Sequence, residues 1–263
     1  MRRQAGAHFA PQYLIDLAER PSSTFSSSPH FNNSYAPARS FERNAEPKRH
    51  PIAVIRTGSA VGGVGKRSFD ITAACIGLAL LVPLFLLIAL AVKLADRGPI
   101  FYRHRRIGRN GGPFSCLKFR TMVPNADAVL HRHLATNRLA AGEWQACRKL
   151  RDDPRITPLG LVLRKTSLDE LPQLFNILAG DMSVVGPRPI VSAEIAKYGD
   201  AIDHYLRARP GLTGLWQISG RNDVDYTRRV ALDRRYVEEW NFGRDLLIIL
   251  KTSVVVLSSR GCY

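Results

Sequence analysis

Twenty consecutive residues without a charge, AACIGLALLVPLFLLIALAV at 73–92, constrain this chain more than anything else in it. Wound as an α-helix they cover about 30 Å, the thickness of a bilayer's hydrocarbon core. A helix apolar on every side has no polar face to offer to water. Pro83 stands near the midpoint, where the missing N–H and the ring's clash with the preceding turn favour a kink or a break. Lys66 and Arg67 lie just before the run, and Lys93, Arg97, Arg103, Arg105 and Arg106 just after it. Positive charge beside a membrane segment marks its cytoplasmic side, and here both ends carry it. A re-entrant helix that dips to mid-bilayer, turns at Pro83 and returns satisfies both observations, with arms of roughly 15 Å each. A single-pass helix that tolerates its proline stays open as the alternative.

The rest of the chain divides around this segment. Residues 1–65 include a stretch rich in Ser, Pro, Asn and Arg with no periodicity, read as a disordered tail and linker with a short helix over 11–20. The start of the chain has no apolar stretch of the kind a cleavable signal needs. TGSAVGGVGKRS at 57–68 superficially resembles a phosphate-binding loop, but Ala60 occupies the place of the first glycine and Arg67 that of the Ser or Thr after Lys66. The membrane segment is assigned to 66–97 and a cytoplasmic domain to 98–263. Net charge is +16, from 38 Lys and Arg against 22 Asp and Glu, which suits an anionic partner: nucleic acid, an anionic leaflet or phosphorylated substrates. Basic residues without interleaved aromatics argue against nucleic acid. The four cysteines form no CxxC pair, so neither a disulfide framework nor a zinc site is expected.

Within 98–263 the pattern is α/β and mostly helical. FSCLKFRTM reads as a strand or short helix, ADAVLHRHLATNRLAAGEWQACRKL as a helix, and TSLDELPQLFNILAG as a helix ending at Gly180. Residues 246–257 are apolar around Lys251 but too short to span, hence an interfacial or core helix. In RKTSLDELPQLFN, Ser167 and Glu170 spell a capping box. Pro172 belongs in a first helical turn, so Asp169 and Glu170 fall at or just before a helix start. The partial positive charge there keeps a carboxylate ionised and can hold a phosphate beside it. An ionised Asp can attack phosphorus to form an acyl phosphate. Arg188 lies between Pro187 and Pro189, a stiff strut presenting a guanidinium suited to phosphate. Lys118, Arg120, Arg164 and Arg221 are further cations beside these motifs, each read alone as surface charge. His131 and His133 face different ways on a helix. Trp216 reads as core packing, with base stacking the less favoured role.

KRSFDI, the Pro-broken apolar segment, GPIFYRHRRIG, LKFRTM, DDPRITPLG, LRKTSLDELPQLFNILAGDMSVVGPRP, RPGLTGLWQISGR and DLLIILKT occur in that order over 66–263. Together they resemble the monotopic phosphoglycosyl transferases, also called the bacterial sugar transferase family. The LWQISGRND block and the SRGCY ending are most similar to the exopolysaccharide-initiating galactose-1-phosphate transferases of the ExoY type. The resemblance implies a re-entrant membrane helix with a compact catalytic domain and interfacial amphipathic helices at the inner face of the bacterial cytoplasmic membrane. One departure is Val82 before Pro83, where many members have Ser. It implies ping-pong chemistry with Mg²⁺. Asp169 would attack the β-phosphorus of a UDP-sugar and take part in holding the metal, and Glu170 would support the local geometry or proton handling. Arg164 and Arg188 would bind phosphate oxygens, with Lys118, Arg120 and Arg221 as further phosphate contacts. Polyprenyl (undecaprenyl) phosphate would accept the sugar phosphate. Galactose is the expected sugar and glucose the alternative, a homo-oligomer is compatible with the sequence, and a non-catalytic membrane adaptor is the rival from another class.

Overall fold

A computed structural model describes residues 58–147, 149–220 and 224–257. The expected tail up to residue 57, its short helix and Arg221 lie outside the described residues. The described chain is mostly helical, with two small two-stranded sheets.

The apolar run forms helix α1, Gly63–Asp96, 34 residues long with Pro83 inside it. The helix continues on both sides of Pro83, so the expected interruption there is the loss of one hydrogen bond, to the Ala79 carbonyl, within one element. Its charged and packing residues recur every three or four positions: Lys66, Asp70, Ala74, Ile88 and Val92 are buried, and Leu78, Leu81, Leu84 and Phe85 are partly so. That stripe faces the protein along the whole helix. Opposite it Ile76, Leu80, Leu87, Leu90 and Leu94 are exposed, Leu80 by 75%. By length and composition α1 can cross a membrane.

Polar contacts fix both ends of α1 to the same folded body. Lys66 Nζ meets Asp245 Oδ2 at 2.6 Å, and that carboxylate also accepts from Tyr236 OH and Trp240 Nε1. Arg67 donates to the Ile177 and Leu178 carbonyls. Asp70 Oδ1 accepts from Ser183 Oγ at 2.9 Å and the Val184 N–H at 3.0 Å. At the far end Asp96 pairs with Arg120.

After α1 come strands β1, Phe101–Ile107, and β2, Pro113–Phe119, an antiparallel hairpin with Tyr102 opposite Lys118, His104 opposite Cys116 and Arg106 opposite Phe114. The stretch read as one helix from 126 is two, α2 (Ala126–Thr136) and α3 (Arg138–Cys147). Asn137 is extended between them, and its Oδ1 accepts from the Ala140 N–H, the local bonding that favours Asn at a cap over a helix interior. Thr157 caps α4, Pro158–Lys165, by accepting from the Gly160 N–H. A single 3-10 turn, Leu168–Glu170, leads into α5, Gln173–Ala179, which ends on Gly180 at φ 90° as the sequence predicts.

Strand β3, Ser183–Val185, pairs in parallel with β4, Gly211–Thr213, across α6, Ile202–Arg207. Three helices follow: the short α7 (Leu215–Ile218), α8 (Tyr226–Glu238) and α9 (Phe242–Leu257). In α9 Asp245 and Ile248 are buried while Phe242, Leu246, Leu247, Leu250 and Val254 are exposed, so the helix carries a second, outward-facing apolar stripe.

Removing one member of a buried ion pair strands the other's charge. Lys66→Met is therefore expected to cost about 3–5 kcal/mol, read as a lower denaturant midpoint of the detergent-solubilised chain. Adding Asp245→Asn should recover part of the loss, because it removes the stranded charge while its amide oxygen can accept from Trp240 Nε1 and its NH2 can donate to Tyr236 OH, which itself donates to the Val185 carbonyl. An unchanged midpoint for Lys66→Met would show that the pair does not fix the helix.

Candidate active site

The turn between α4 and α5 brings two adjacent carboxylates beneath β2. Ser167 makes this possible by adopting φ 58°, a left-handed conformation costing a non-glycine residue about 1 kcal/mol or more. The chain reverses there, and Leu168 and Leu171 tuck into the cluster formed by Ile88, Val92, Phe119 and Leu163. Asp169 is thereby 8% exposed. Lys118 reaches across from β2, its Nζ 2.6 Å from Glu170 Oε1 and 3.5 Å from Asp169 Oδ2. Asn176 of α5 holds the strand in place, accepting from the Leu117 N–H at 2.9 Å and donating to the Ser115 carbonyl at 2.8 Å.

Two sequence expectations are corrected here. The capping box is not formed: Ser167 makes no side-chain cap bond, and the Glu170 carboxylate is taken by Lys118. Nor does a helix start hold Asp169 ionised. The dyad lies in a one-turn element, and the α-helix beyond it begins at Gln173. Burial pushes the Asp169 carboxyl above the usual carboxylate range, Lys118 and Arg164 draw it back, and Glu170 adds to the rise. Burial works against the Lys118 ammonium, but the two carboxylates outweigh it and hold its pKa above the ordinary lysine value. The charge that favours an anion here thus comes from side chains.

The other predicted cations divide. Arg164 stays with the dyad: its Nε donates to Thr121 Oγ1 at 2.9 Å and its charge acts on Asp169. Arg120 turns away, to Asp96 at the end of α1. Arg188 stands over the ring of Trp216, its Cζ 5.2 Å from the centroid, and Trp216 is buried as the sequence reading expects. His104 was not singled out in the sequence, and Arg106 only as a charge flanking the apolar run. The alternation of FYRHRRI puts them on one face of β1, and their cross-strand register puts Lys118 on the same face. Arg106 Nη2 donates to His104 Nδ1 at 3.3 Å, which requires an unprotonated nitrogen. Burial and the charges of Arg106 and Lys118 lower His104 to about 4, so it is neutral at physiological pH.

No group of three or more His, Cys, Asp or Glu side chains able to enclose a metal ion exists among the described residues. Mg²⁺, however, is commonly held by one or two carboxylates together with substrate phosphates. Asp169 and Glu170 fit a metal that arrives with a diphosphate, and not a cage built by protein alone.

Residues 61–259 match the family model described as bacterial sugar transferase. The chain belongs to that family. Similar proteins include the exopolysaccharide production protein ExoY of Sinorhizobium fredii, 58% identical over 203 residues that cover 77% of this chain and 90% of the relative. The undecaprenyl-phosphate galactose phosphotransferase of Salmonella typhimurium is 52% identical over 198 residues, 75% of this chain and 41% of that protein. The UDP-glucose:undecaprenyl-phosphate glucose-1-phosphate transferase of Caulobacter vibrioides is 41% identical over 206 residues, 75% of this chain and 72% of the relative. As a bacterial sugar transferase the chain is an enzyme, which removes the non-catalytic adaptor as a reading.

A carboxylate that ionises inside a protein costs stability. A carboxyl whose folded pKa lies above its unfolded one supports the fold fully only below the unfolded value, and that support is lost as pH rises through the folded value. Asp169, raised by burial, is such a group. Asp169→Asn is permanently neutral there. It should unfold at a higher temperature than the parent at neutral pH and above, with the gap closing in acid. Thermal unfolding across pH checks this, and a parent more stable than the variant at neutral pH would contradict it.

Proposed function

We propose that this bacterial sugar transferase moves a hexose-1-phosphate, galactose-1-phosphate in the first instance, from a UDP-sugar to undecaprenyl phosphate and so initiates exopolysaccharide synthesis. The observation that carries this reading is the buried Asp169 beside Glu170, both within reach of Lys118. Phosphoryl transfer depends on positioning and charge, and this arrangement supplies a fixed nucleophile with a cation at its shoulder. An Asp169 carboxylate oxygen would form a bond to the donor's β-phosphorus as the bond from that phosphorus to the bridging oxygen breaks. The oxygen leaves on UMP, and an acyl phosphate carrying the sugar remains on Asp169. A phosphate oxygen of the polyprenyl carrier then attacks the same phosphorus, giving the lipid-linked diphosphosugar and freeing the carboxylate.

Each neighbour has a part in this scheme. Glu170 holds Lys118 at its station, Lys118 faces the transferring phosphoryl oxygens, and Arg164 adds charge next to the nucleophile. Asp169, with Glu170 beside it, would hold Mg²⁺ together with the donor's diphosphate, and the ion would neutralise charge on those oxygens. Arg120, committed to Asp96, is left out of the scheme.

The acceptor's phosphate lies at a membrane surface, and α1 brings the site to it. Both ends of α1 are tied to one folded body, and its outer stripe is apolar, which supports entry into one leaflet from the cytoplasmic side. The exposed apolar residues of α9, and Leu161 and Val162 of α4, support contact with the interface of the inner membrane. Galactose rests on the relatives that carry that sugar in their names. The Caulobacter relative, named for UDP-glucose, supports glucose as the second reading.

Incubation with Mg²⁺ and UDP-galactose, without lipid, should leave a hexose-phosphate mass on a peptide containing Asp169, cleared by polyprenyl phosphate. Asp169→Asn should lose UMP release by on the order of a thousandfold or more. Labelling by UDP-glucose alone would change the sugar and keep the route. UMP release by the folded variant at the parent's rate would end the nucleophile assignment.

Topology is tested separately with an impermeant thiol reagent applied to intact cells. Ser68→Cys and Ala95→Cys, one near each end of α1, should both stay protected. Labelling of only one of them from outside would establish a span.

A further inference from the structure

Tyr102 and His104 lie close to the dyad and have no part in the scheme above. Phe101 turns toward the membrane helix, its ring centroid 6.3 Å from that of Phe85 and 5.6 Å from that of Phe119. Side chains alternate along a strand, so Tyr102 takes the other side. There it stands directly opposite Lys118, whose Nζ lies 3.5 Å from Asp169 Oδ2. Opposed residues of an antiparallel pair have Cα atoms only about 5 Å apart. His104 is the next residue on the same side, its ring 5.8 Å from that of Tyr102 at an interplanar angle of 64°. Tyr102 is 52% exposed, an open aromatic surface at the edge of a charged site.

His104 adds a directional group to that surface. A guanidinium carries donors only, so the 3.3 Å contact between Arg106 Nη2 and His104 Nδ1 makes Nδ1 the acceptor. The hydrogen of the neutral ring is then on Nε2. Among the described residues no group accepts it. Arg106 fixes the ring's orientation, being held in turn by the Pro189 carbonyl at 3.1 Å and by Glu194 at 3.8 Å. The result is one fixed, uncharged N–H donor beside an exposed aromatic ring. Burial and the charges of Arg106 and Lys118 keep it uncharged. For a phosphate, the cations on either side of it are the better partners. An uncharged donor suits a neutral group rich in hydroxyls, and the negative face of an aromatic ring suits the polarised C–H groups of a pyranose.

Position decides between the two neutral parts of a nucleotide sugar. In a displacement at the β-phosphorus, the attacking Asp169 oxygen and the departing UMP oxygen lie roughly in line, on opposite sides of the phosphorus. The nucleotide is thus directed away from Asp169, while the hexose extends to one side. Tyr102, paired with the lysine that flanks Asp169, stands to that side. We propose that Tyr102 and His104 form the subsite for the donor's hexose, with the Tyr102 ring against the pyranose and His104 Nε2 donating to one of its hydroxyls. This rests on the transferase reading above.

The test uses the full chain in nanodiscs with Mg²⁺, and Asp169→Asn as background so that binding is read apart from chemistry. UDP-galactose affinity by calorimetry should weaken about tenfold on His104→Leu, the scale of one lost hydrogen bond. UDP, which has both phosphates and no hexose, should bind the variant and its background alike. His104→Gln should restore part of the loss, because its carbonyl can accept from Arg106 while its amide N–H still donates; this also guards against misfolding. Tyr102→Phe should keep UDP-galactose affinity and Tyr102→Leu should lower it. UDP-galactose affinity indifferent to both residues, or an equal loss for UDP, would overturn the subsite. If the parent enzyme forms no Asp169 adduct but UDP-galactose binding still depends on His104, the subsite stands and the transferase route falls. If the adduct forms and His104 is irrelevant to UDP-galactose, the reverse holds. No binding of UDP-galactose to the background or the parent would overturn both.

Discussion

The buried charge of Asp245 is the point on which this architecture turns. Helix α1 is apolar on its inner and outer faces alike, and hydrophobic contact is non-directional. Packing alone leaves such a helix free to slide or rotate by a turn. Directional groups remove that freedom. Asp245, fully buried, accepts from Lys66, Tyr236 and Trp240 at once, which joins the start of α1 to α8 and α9. One turn on, Asp70 binds the Ser183 hydroxyl and the Val184 N–H, tying the helix to β3. With the start of α1 fixed, Ile88 and Val92 fall where Leu168 and Leu171 can pack on them. The position of the dyad along α1 therefore follows from an ion pair at the helix's other end.

The dyad itself is a balance of opposed terms. Burial disfavours the Asp169 carboxylate, and Glu170 next to it adds repulsion. Lys118 offsets both, but only if β2 stays close to the turn that carries the acids. Asn176 provides that restraint by bonding both Ser115 and Leu117 of the strand. Ser167 contributes the left-handed residue that lets the chain reverse. Neither Asn176 nor Ser167 needs to touch a substrate. Each reduces the freedom of those that would, which is how a rigid scaffold improves a site.

Much of this was legible in the sequence because it is local. An uncharged run of helical length, Pro172 in a first turn and Gly180 at a helix end are read from neighbours in the chain. The missed break at Asn137 was also local: a residue whose side chain competes for backbone N–H groups sat inside an apparently helical stretch. The capping box failed for a different reason. Its pattern was present, but Lys118 offered Glu170 a charged partner from 52 residues away, and a tertiary ion pair outweighed a local cap. Arg120 was drawn to Asp96 in the same way. Arg188 could be recognised as a rigid strut from its two prolines, but nothing in the order of residues announces that Arg229 would share its indole.

The large positive charge of the chain also acquires a shape. Several of its cations are neutralised in place, as in Lys66 with Asp245, Arg155 with Asp153 and Arg234 with Glu238. Those on the β1–β2 face are grouped at its two ends, Lys118 with Arg164 beside the acids and Arg106 with Arg188 toward α7. A protonated His104 between them would make the face continuously positive. It is neutral, because it is partly buried and because Arg106 donates to its Nδ1. Like charges separated by a neutral ring repel less than a continuous row would.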